Sequence, residues 1–141
     1  MTRTSQTPSG FEVKVAPFEV AEYQAFLEHA GWFVVPEEFC APALQNSLMM
    51  FRGEVDGQLV GIARIVGDKG IYFYLQDMII HPEFRNQGVG RAMMEVIVKE
   101  FKARYRGIMM LMAANGKAPF YEKFGFERRP EQGPGMTLKR D

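Results

Sequence analysis

Two glycines one residue apart, Gly88 and Gly90, follow Arg85-Asn86-Gln87 and lead into Arg91-Ala92-Met93-Met94. These residue types suit the holding of an anion. A chain that tightens through glycine and enters a helix aims successive backbone N–H groups, backed by the helix dipole, at one spot. Lacking a Cβ, Gly88 and Gly90 allow a ligand close to the main chain, and Arg85 and Arg91 add positive charge. Three glycine-loop chemistries compete. A dinucleotide-binding turn needs G-x-G-x-x-G, but Met93 holds the third position, and the next apolar run ends in Ala113-Ala114 without an acid. A P-loop needs Lys directly after its last glycine, where Arg91 stands after a different spacing. A pyrophosphate cradle built from main-chain amides is the remaining ligand-binding option, and a helix start with no ligand is the plain alternative.

The chain that must position this loop has 141 residues, 47% apolar and 24% charged, ordinary proportions for one soluble domain with its own core. Its formal net charge is zero, which argues against bulk electrostatic binding of nucleic acid or membrane. No apolar run nears the roughly 18–20 residues of a membrane span. A lone Cys40 and a start without a signal peptide's apolar segment point to the cytoplasm. Residues 1–10 read as a flexible polar tail and 11–141 as a single domain.

Alternation gives a short strand over 11–17, and Val20, Tyr23, Leu27 and Ala30 fall at helical spacing before Gly31. A second, broken helix runs to about Leu48. Asp56-Gly57 and Gly67-Asp68-Lys69-Gly70 are hairpin signals separating strands over 49–55, 58–66 and 71–80. The third of these is apolar on both faces except at Gln76 and Asp77, as a covered central strand would be. Val89, Met93, Ile97, Phe101 and Tyr105 trace one helix face. The apolar run 107–114 then reads as a buried strand, parallel to 71–80 through that helix. A short helix from about Pro119 to Gly125 follows, and the remainder suggests a strand, a Pro/Gly loop and a last strand. The expected class is α+β: a mixed, mostly antiparallel twisted sheet with helices on both faces and a central βαβ unit.

Read together, Arg85-Asn86-Gln87-Gly88-Val89-Gly90 and Phe120-Tyr121-Glu122-Lys123-Phe124-Gly125-Phe126, in this order and setting, resemble the GNAT superfamily of acetyl-CoA-dependent N-acyltransferases. The resemblance covers about residues 11–140. It implies that Asn86, Gln87, Gly88, Val89, Gly90 and Arg91 wrap the pyrophosphate of coenzyme A, with Arg85 beside them. It also implies that Met78, Ile79 and Ile80 contact the pantetheine arm and acetyl group through their backbone, next to a bulge, where strands 71–80 and 107–114 splay apart. Asn115 corresponds to a polar residue against pantetheine, though its spacing to Tyr121 is a residue shorter than in some members. Dimers are common in the family, and no stretch here announces an interface.

An amine attacking a thioester makes three chemical demands. The oxyanion needs donors, which a backbone N–H near Met78 or Ile79 would supply. The departing thiolate, whose parent thiol has a pKa of about 8.5, leaves more readily when protonated. Tyr121 matches the family's general acid, against the plainer reading that it packs as Phe120 and Phe124 do. The amine must also lose its proton. Asp77 is the leading base because a lone acid in an apolar strand needs a reason, and Glu54 on the neighbouring strand is the alternative. A structural carboxylate bound to loop amides or to Arg64 is the other reading of Asp77, and both stay open. Gln76 faces the opposite side in a regular strand, and a bulge would change that. His81 before Pro82 reads as a cap, and His29, His81 and Cys40 lack metal-ligand spacing, so no metal is expected. The acceptor wall falls to the first two helices and the final loop. That placement is what the resemblance implies; there Trp32 and Phe33 suggest an apolar surface and Glu37, Glu38 and Glu131 an attraction for a cation. The expected activity is acetyl transfer to a primary amine of a small molecule. A peptide amine as acceptor, or an acetyl-CoA sensor without catalysis, are the alternatives.

Overall fold

The computed structural model describes residues 6–140; the first five residues of the expected tail and Asp141 lie outside the described residues. Five strands form one sheet in the order β1-β2-β3-β4-β5: β1 (Phe11–Val15), β2 (Met49–Val55), β3 (Gln58–Gly67), β4 (Tyr72–Ile80) and β5 (Ile108–Met110). All neighbours are antiparallel except β4 and β5, which run parallel. Helices α1 (Val20–His29) and α2 (Glu37–Gln45) follow β1, α3 (Val89–Arg104) joins β4 to β5, and α4 (Ala118–Glu122) follows β5.

Local chemistry accounts for these elements. Asp56 and Gly57 both take positive φ, 49° and 86°, the conformation a two-residue hairpin requires. In the next turn the Asp68 carboxylate accepts the N–H groups of Gly70, Ile71 and Tyr72 at 2.7–3.1 Å, and these backbone bonds hold its pKa below the usual carboxylate value. Two apolar cores result, one on each sheet face. On one side Val89, Met93, Met94, Ile97 and Phe101 of α3 pack on Phe51, Ala63, Ile65, Phe73 and Leu75. On the other, Tyr23, Phe26 and Leu27 of α1 and Cys40 and Leu44 of α2 pack on Ile62 and Ile79.

The sheet differs from expectation at its last strands. Only three residue pairs, Tyr72–Ile108, Phe73–Met109 and Tyr74–Met110, join β4 to β5, so β5 is much shorter than the apolar run 107–114. A Cβ on Gly107 would meet the Ile71 carbonyl oxygen at 2.4 Å, so the two chains press together at the start of β5 and then part. The expected strands after residue 125 do not form within the described residues. Pro130 and Pro134 carry no N–H for a ladder. The Gly133 N–H closes a turn onto Pro130 O at 2.9 Å, and Arg129 Nε donates to Gly133 O at 2.9 Å.

Candidate active site

The loop before α3 turns tightly into the helix. After β4, Pro82–Phe84 make one 3-10 turn capped by His81, whose Nδ1 accepts the Glu83 N–H at 3.1 Å. Asn86 and Gly88 then take positive φ, 62° and 79°, the alternation that turns successive N–H groups to one side. Gln87 Nε2 donates to Glu83 O at 2.9 Å and Arg85 Nε to Ile80 O at 3.3 Å, fixing the loop by its side chains. Helix α3 begins after Gly88, which has no side chain to cap it, and carries no acid in its first turn, an arrangement compatible with an anion at the helix start. Arg91 pairs with Glu95 one turn on, at 3.3 Å. Gly90 lies against α4: a Cβ there would meet Phe120 Cζ at 3.4 Å. The two sequence motifs thus touch in the fold.

Beyond Tyr74 the edge of β4 facing β5 has no ladder partner, which opens a gap along Leu75–Ile80. A bulge lies on the other side of the same stretch. Ile62 pairs with Ile79 and Arg64 with Gln76, leaving Asp77 and Met78 without a partner on β3. Asp77 takes φ +61°, rare for a residue other than glycine in a strand, though aspartate tolerates it best. The bulge brings Gln76 and Asp77 to the same side, and Gln76 Nε2 donates to Asp77 Oδ1 at 3.1 Å.

The Asp77 carboxylate is closed in. Arg64 Nε donates to Oδ2 at 2.7 Å, with side chains only 11% and 10% exposed, and the Tyr23 hydroxyl also donates to Oδ2. Arg64 reaches onward to Ser47 Oγ at 3.0 Å and Ala43 O at 3.4 Å, and its guanidinium lies 5.7 Å from the Tyr23 ring centre. Burial and then the bond to Asp77 raise the Tyr23 phenol well above its ordinary pKa. Burial works against the Arg64 charge, and the Asp77 carboxylate outweighs it, so Arg64 stays firmly cationic. Glu54 is more enclosed still, paired with Arg52 at 2.8 Å and Lys14 at 3.0 Å. The Arg52 bond holds its carboxyl below the usual range. Arg52 in turn grips Glu22 of α1.

Tyr121, on α4, packs edge-on against Phe120 and Phe126 with ring centres 5.1 and 6.1 Å away. Burial raises its phenol pKa, keeping the proton on through neutral pH. Asn115 is exposed in the turn after β5. Trp32 and Phe33, 48% and 76% exposed, lie on the connection between α1 and α2. A shallow cleft between Phe26, His29, Leu59 and His81 involves none of the gap residues. Among the described residues no group of three or more His, Cys, Asp or Glu could hold a metal ion. No described helix is long and apolar enough to cross a membrane.

The sequence pattern located the glycine loop and named Arg64 as one possible partner of Asp77, while the gap and the bulge were what the family resemblance implied. It missed Tyr23. That residue sits in the apolar stripe of α1, where only the hydroxyl at its tip distinguishes it from a core aromatic.

A five-stranded sheet that parts between its parallel strands, with an uncapped glycine-rich helix start at the mouth, defines an acetyltransferase domain. The chain belongs to the acetyltransferase (GNAT) domain family, whose model matches residues 46–128. Among its relatives, an uncharacterized N-acetyltransferase, ycf52, of Pyropia yezoensis is 27% identical over 119 residues, covering 82% of this chain and 68% of that protein. The histone acetyltransferase TAP1 of Glycine max is 29% identical over 129 residues, 84% of this chain and 56% of that one. Serotonin N-acetyltransferase 2, chloroplastic, of Oryza sativa is 30% identical over 84 residues, 60% of this chain and 42% of that one. The chain therefore spans from under half to about two thirds of these relatives' lengths. A probable acetyltransferase of Staphylococcus aureus superposes with a TM-score of 0.82 at 26% identity, over 92% of this chain and 99% of that one. A predicted acetyltransferase of Clostridium acetobutylicum, solved with acetyl-CoA, shares the fold at a TM-score of 0.66 and 19% identity, over 92% and 96% of the two chains.

Proposed function

We propose that residues 11–141 act as one catalytic unit that transfers acetyl from acetyl-CoA to a primary amine, by direct attack in a ternary complex. The carrying observation is the junction at the end of β4. There an open strand edge at Leu75–Ile80 leads into a helix start whose N–H groups have no cap of their own. A pyrophosphate fits that start, with Arg85 and Arg91 adding charge. The extended pantetheine arm fits the edge, where Met78, Ile79 and Ile80 offer main-chain partners and Asn115 a polar side chain across the gap. The acetyl-CoA seen in the Clostridium relative supports the same cosubstrate. Bound there, acetyl-CoA supplies an activated acyl carbon and a thiolate leaving group.

The residues of the chain then have distinct tasks. A main-chain N–H at the bulge, near Met78, stabilises charge on the carbonyl oxygen. Tyr121, protonated through neutral pH, donates to the departing sulfur. The contacts of Asp77 favour the anchoring reading over the base. Its two oxygens are engaged by Arg64, Tyr23 and Gln76, and Glu54 is similarly held, which leaves a water as carrier of the amine proton.

The acceptor in this reading is a small amine with an apolar body, met by Trp32, Phe33 and Gln76. The serotonin-acetylating name of one relative supports that class. A peptide amine is the second reading, favoured by the open exposure of Trp32 and Phe33 and by the histone acetyltransferase name of another. Calorimetric titration with acetyl-CoA and with CoA, alongside thiol release with tryptamine and with a lysine peptide, decides among these. Saturable binding with release driven by tryptamine is the expected result. Release driven only by the peptide would move the acceptor to the second reading. Binding without release from any amine would leave a sensor, and no binding would remove the proposal.

A cytoplasmic location and a homodimer complete the proposal. The lone Cys40 is buried and free, as a reducing compartment allows. Ile108, Met110 and Met112 lie exposed along the outer edge of the sheet, and Met136 and Leu138 are exposed near the chain end. Uncovered apolar edges of this kind invite pairing with a second copy. Light scattering should return twice the 16.1 kDa chain mass; a monomer at micromolar concentration would refute the dimer.

A further inference from the structure

We propose that Tyr23 and Arg64 are positioning residues that act through Asp77 to hold the β4 bulge where its main chain meets the thioester carbonyl. This inference rests on the functional reading above. Its starting point is what does not hold the bulge. Asp77 and Met78 have no register partner on β3, and on the other side β5 has already parted from β4. The sheet ladder therefore leaves this stretch unpinned on both edges, at the point where an amide must be aimed most closely.

The side chain of Asp77 supplies the missing restraint. Three elements converge on one carboxylate, and a fourth braces one of its partners. Tyr23 reaches it from α1 and Arg64 from β3, while Ser47 and Ala43 at the end of α2 fix the far side of the guanidinium. Gln76 occupies the other oxygen from within β4. Asp77 is also the residue that departs from strand geometry, at φ +61°. A conformation this uncommon persists only where its surroundings over-determine it.

Stability alone does not explain such an arrangement. A buried ion pair loses hydration that a hydrophobic replacement of similar volume would not, so its presence is weak evidence of a net gain in stability. Here the imposed geometry belongs to two residues that border the reacting carbonyl. Tyr23 and Arg64 need touch no substrate to control it.

The test uses the full chain and acetyl-CoA labelled with ¹³C at the acetyl carbonyl, and needs no acceptor. Isotope-edited infrared spectroscopy reads the carbonyl stretch, and calorimetry the affinity. In the unaltered protein, binding should lower the stretch relative to free acetyl-CoA, as polarisation by an aimed N–H requires. Tyr23→Phe, which removes one oxygen and keeps the ring in the core, should abolish about half or more of that shift while affinity changes less than about threefold. Arg64→Lys keeps the charge without the planar fork and should recover more of the shift than Arg64→Met. Leu27→Val, in the same core but away from the carboxylate, controls for loss of stability and should leave the stretch in place. A full shift in Tyr23→Phe with unaltered affinity would overturn the inference and leave the functional reading standing. Failure of the unaltered protein to bind acetyl-CoA would overturn both.

Discussion

Replacing Tyr121 by phenylalanine should lower the turnover number about 100-fold, some 2.7 kcal/mol of activation free energy, while leaving the dissociation constant for acetyl-CoA unchanged. The ring contacts with Phe120 and Phe126 survive the substitution, so the melting temperature should hardly move. The loss is then attributable to one proton donor. The pH dependence gives a second signature. Burial raises the Tyr121 phenol above its ordinary value of about 10. The acid form therefore persists across neutral pH, and loss of this donor should appear as a strongly alkaline limb, separate from the acid limb set by amine protonation, which the phenylalanine variant should lack. Stopped-flow measurement of thiol release across pH checks both points. A variant with unaltered rate would return Tyr121 to the role of a packing aromatic.

Gly88→Glu should weaken acetyl-CoA binding by at least about 100-fold, or 2.7 kcal/mol. Two effects add. Gly88 sits at φ +79°, a left-handed conformation that costs an L side chain about 1–2 kcal/mol, so the cradle itself is distorted. The substitution also adds negative charge at the start of α3, which repels an anion that the helix dipole otherwise attracts. Gly88→Asn separates the two effects. Asparagine accepts left-handed φ and carries no charge, so it should fall between the wild type and Gly88→Glu. Calorimetry supplies the affinities and thermal denaturation the stability. Undiminished binding by a folded Gly88→Glu protein would refute the anion cradle.

The parts of this fold legible in the sequence are those written in local chemistry. The Asp56-Gly57 turn, the Asp68 turn and the apolar face of α3 each follow from residues a few positions apart. The glycine turn into α3 was legible for the same reason, since helix entry and glycine spacing are local. The limits of β5 were not. Residues 111–114 are as apolar as 108–110, and whether they join a ladder depends on how far β4 has diverged by then. The final strands failed likewise. Alternating Met136 and Leu138 resemble a strand, yet a strand needs an edge to pair with, and the prolines on either side of residue 133 remove donors from that segment. Glu54 and Asp77 show a subtler limit. Each was a candidate base, but long-range neighbours help to enclose it: Lys14 joins the local Arg52 at Glu54, and Tyr23 joins Arg64 at Asp77. Whether a lone carboxylate is a reagent or a fastening is decided by tertiary neighbours.

The contact between Gly90 and Phe120 carries a lesson for protein engineering. A methyl at the glycine would just touch the tip of the Phe120 ring at ordinary contact distance, so the room for anything longer at position 90 is set partly by that aromatic. A library that varies position 90 on a fixed Phe120 would admit alanine and would test each longer side chain against the ring as well as against the ligand. Varying both together, with a smaller residue at 120 to admit a larger one at 90, would separate what the phosphate requires from what the neighbouring helix merely crowds out.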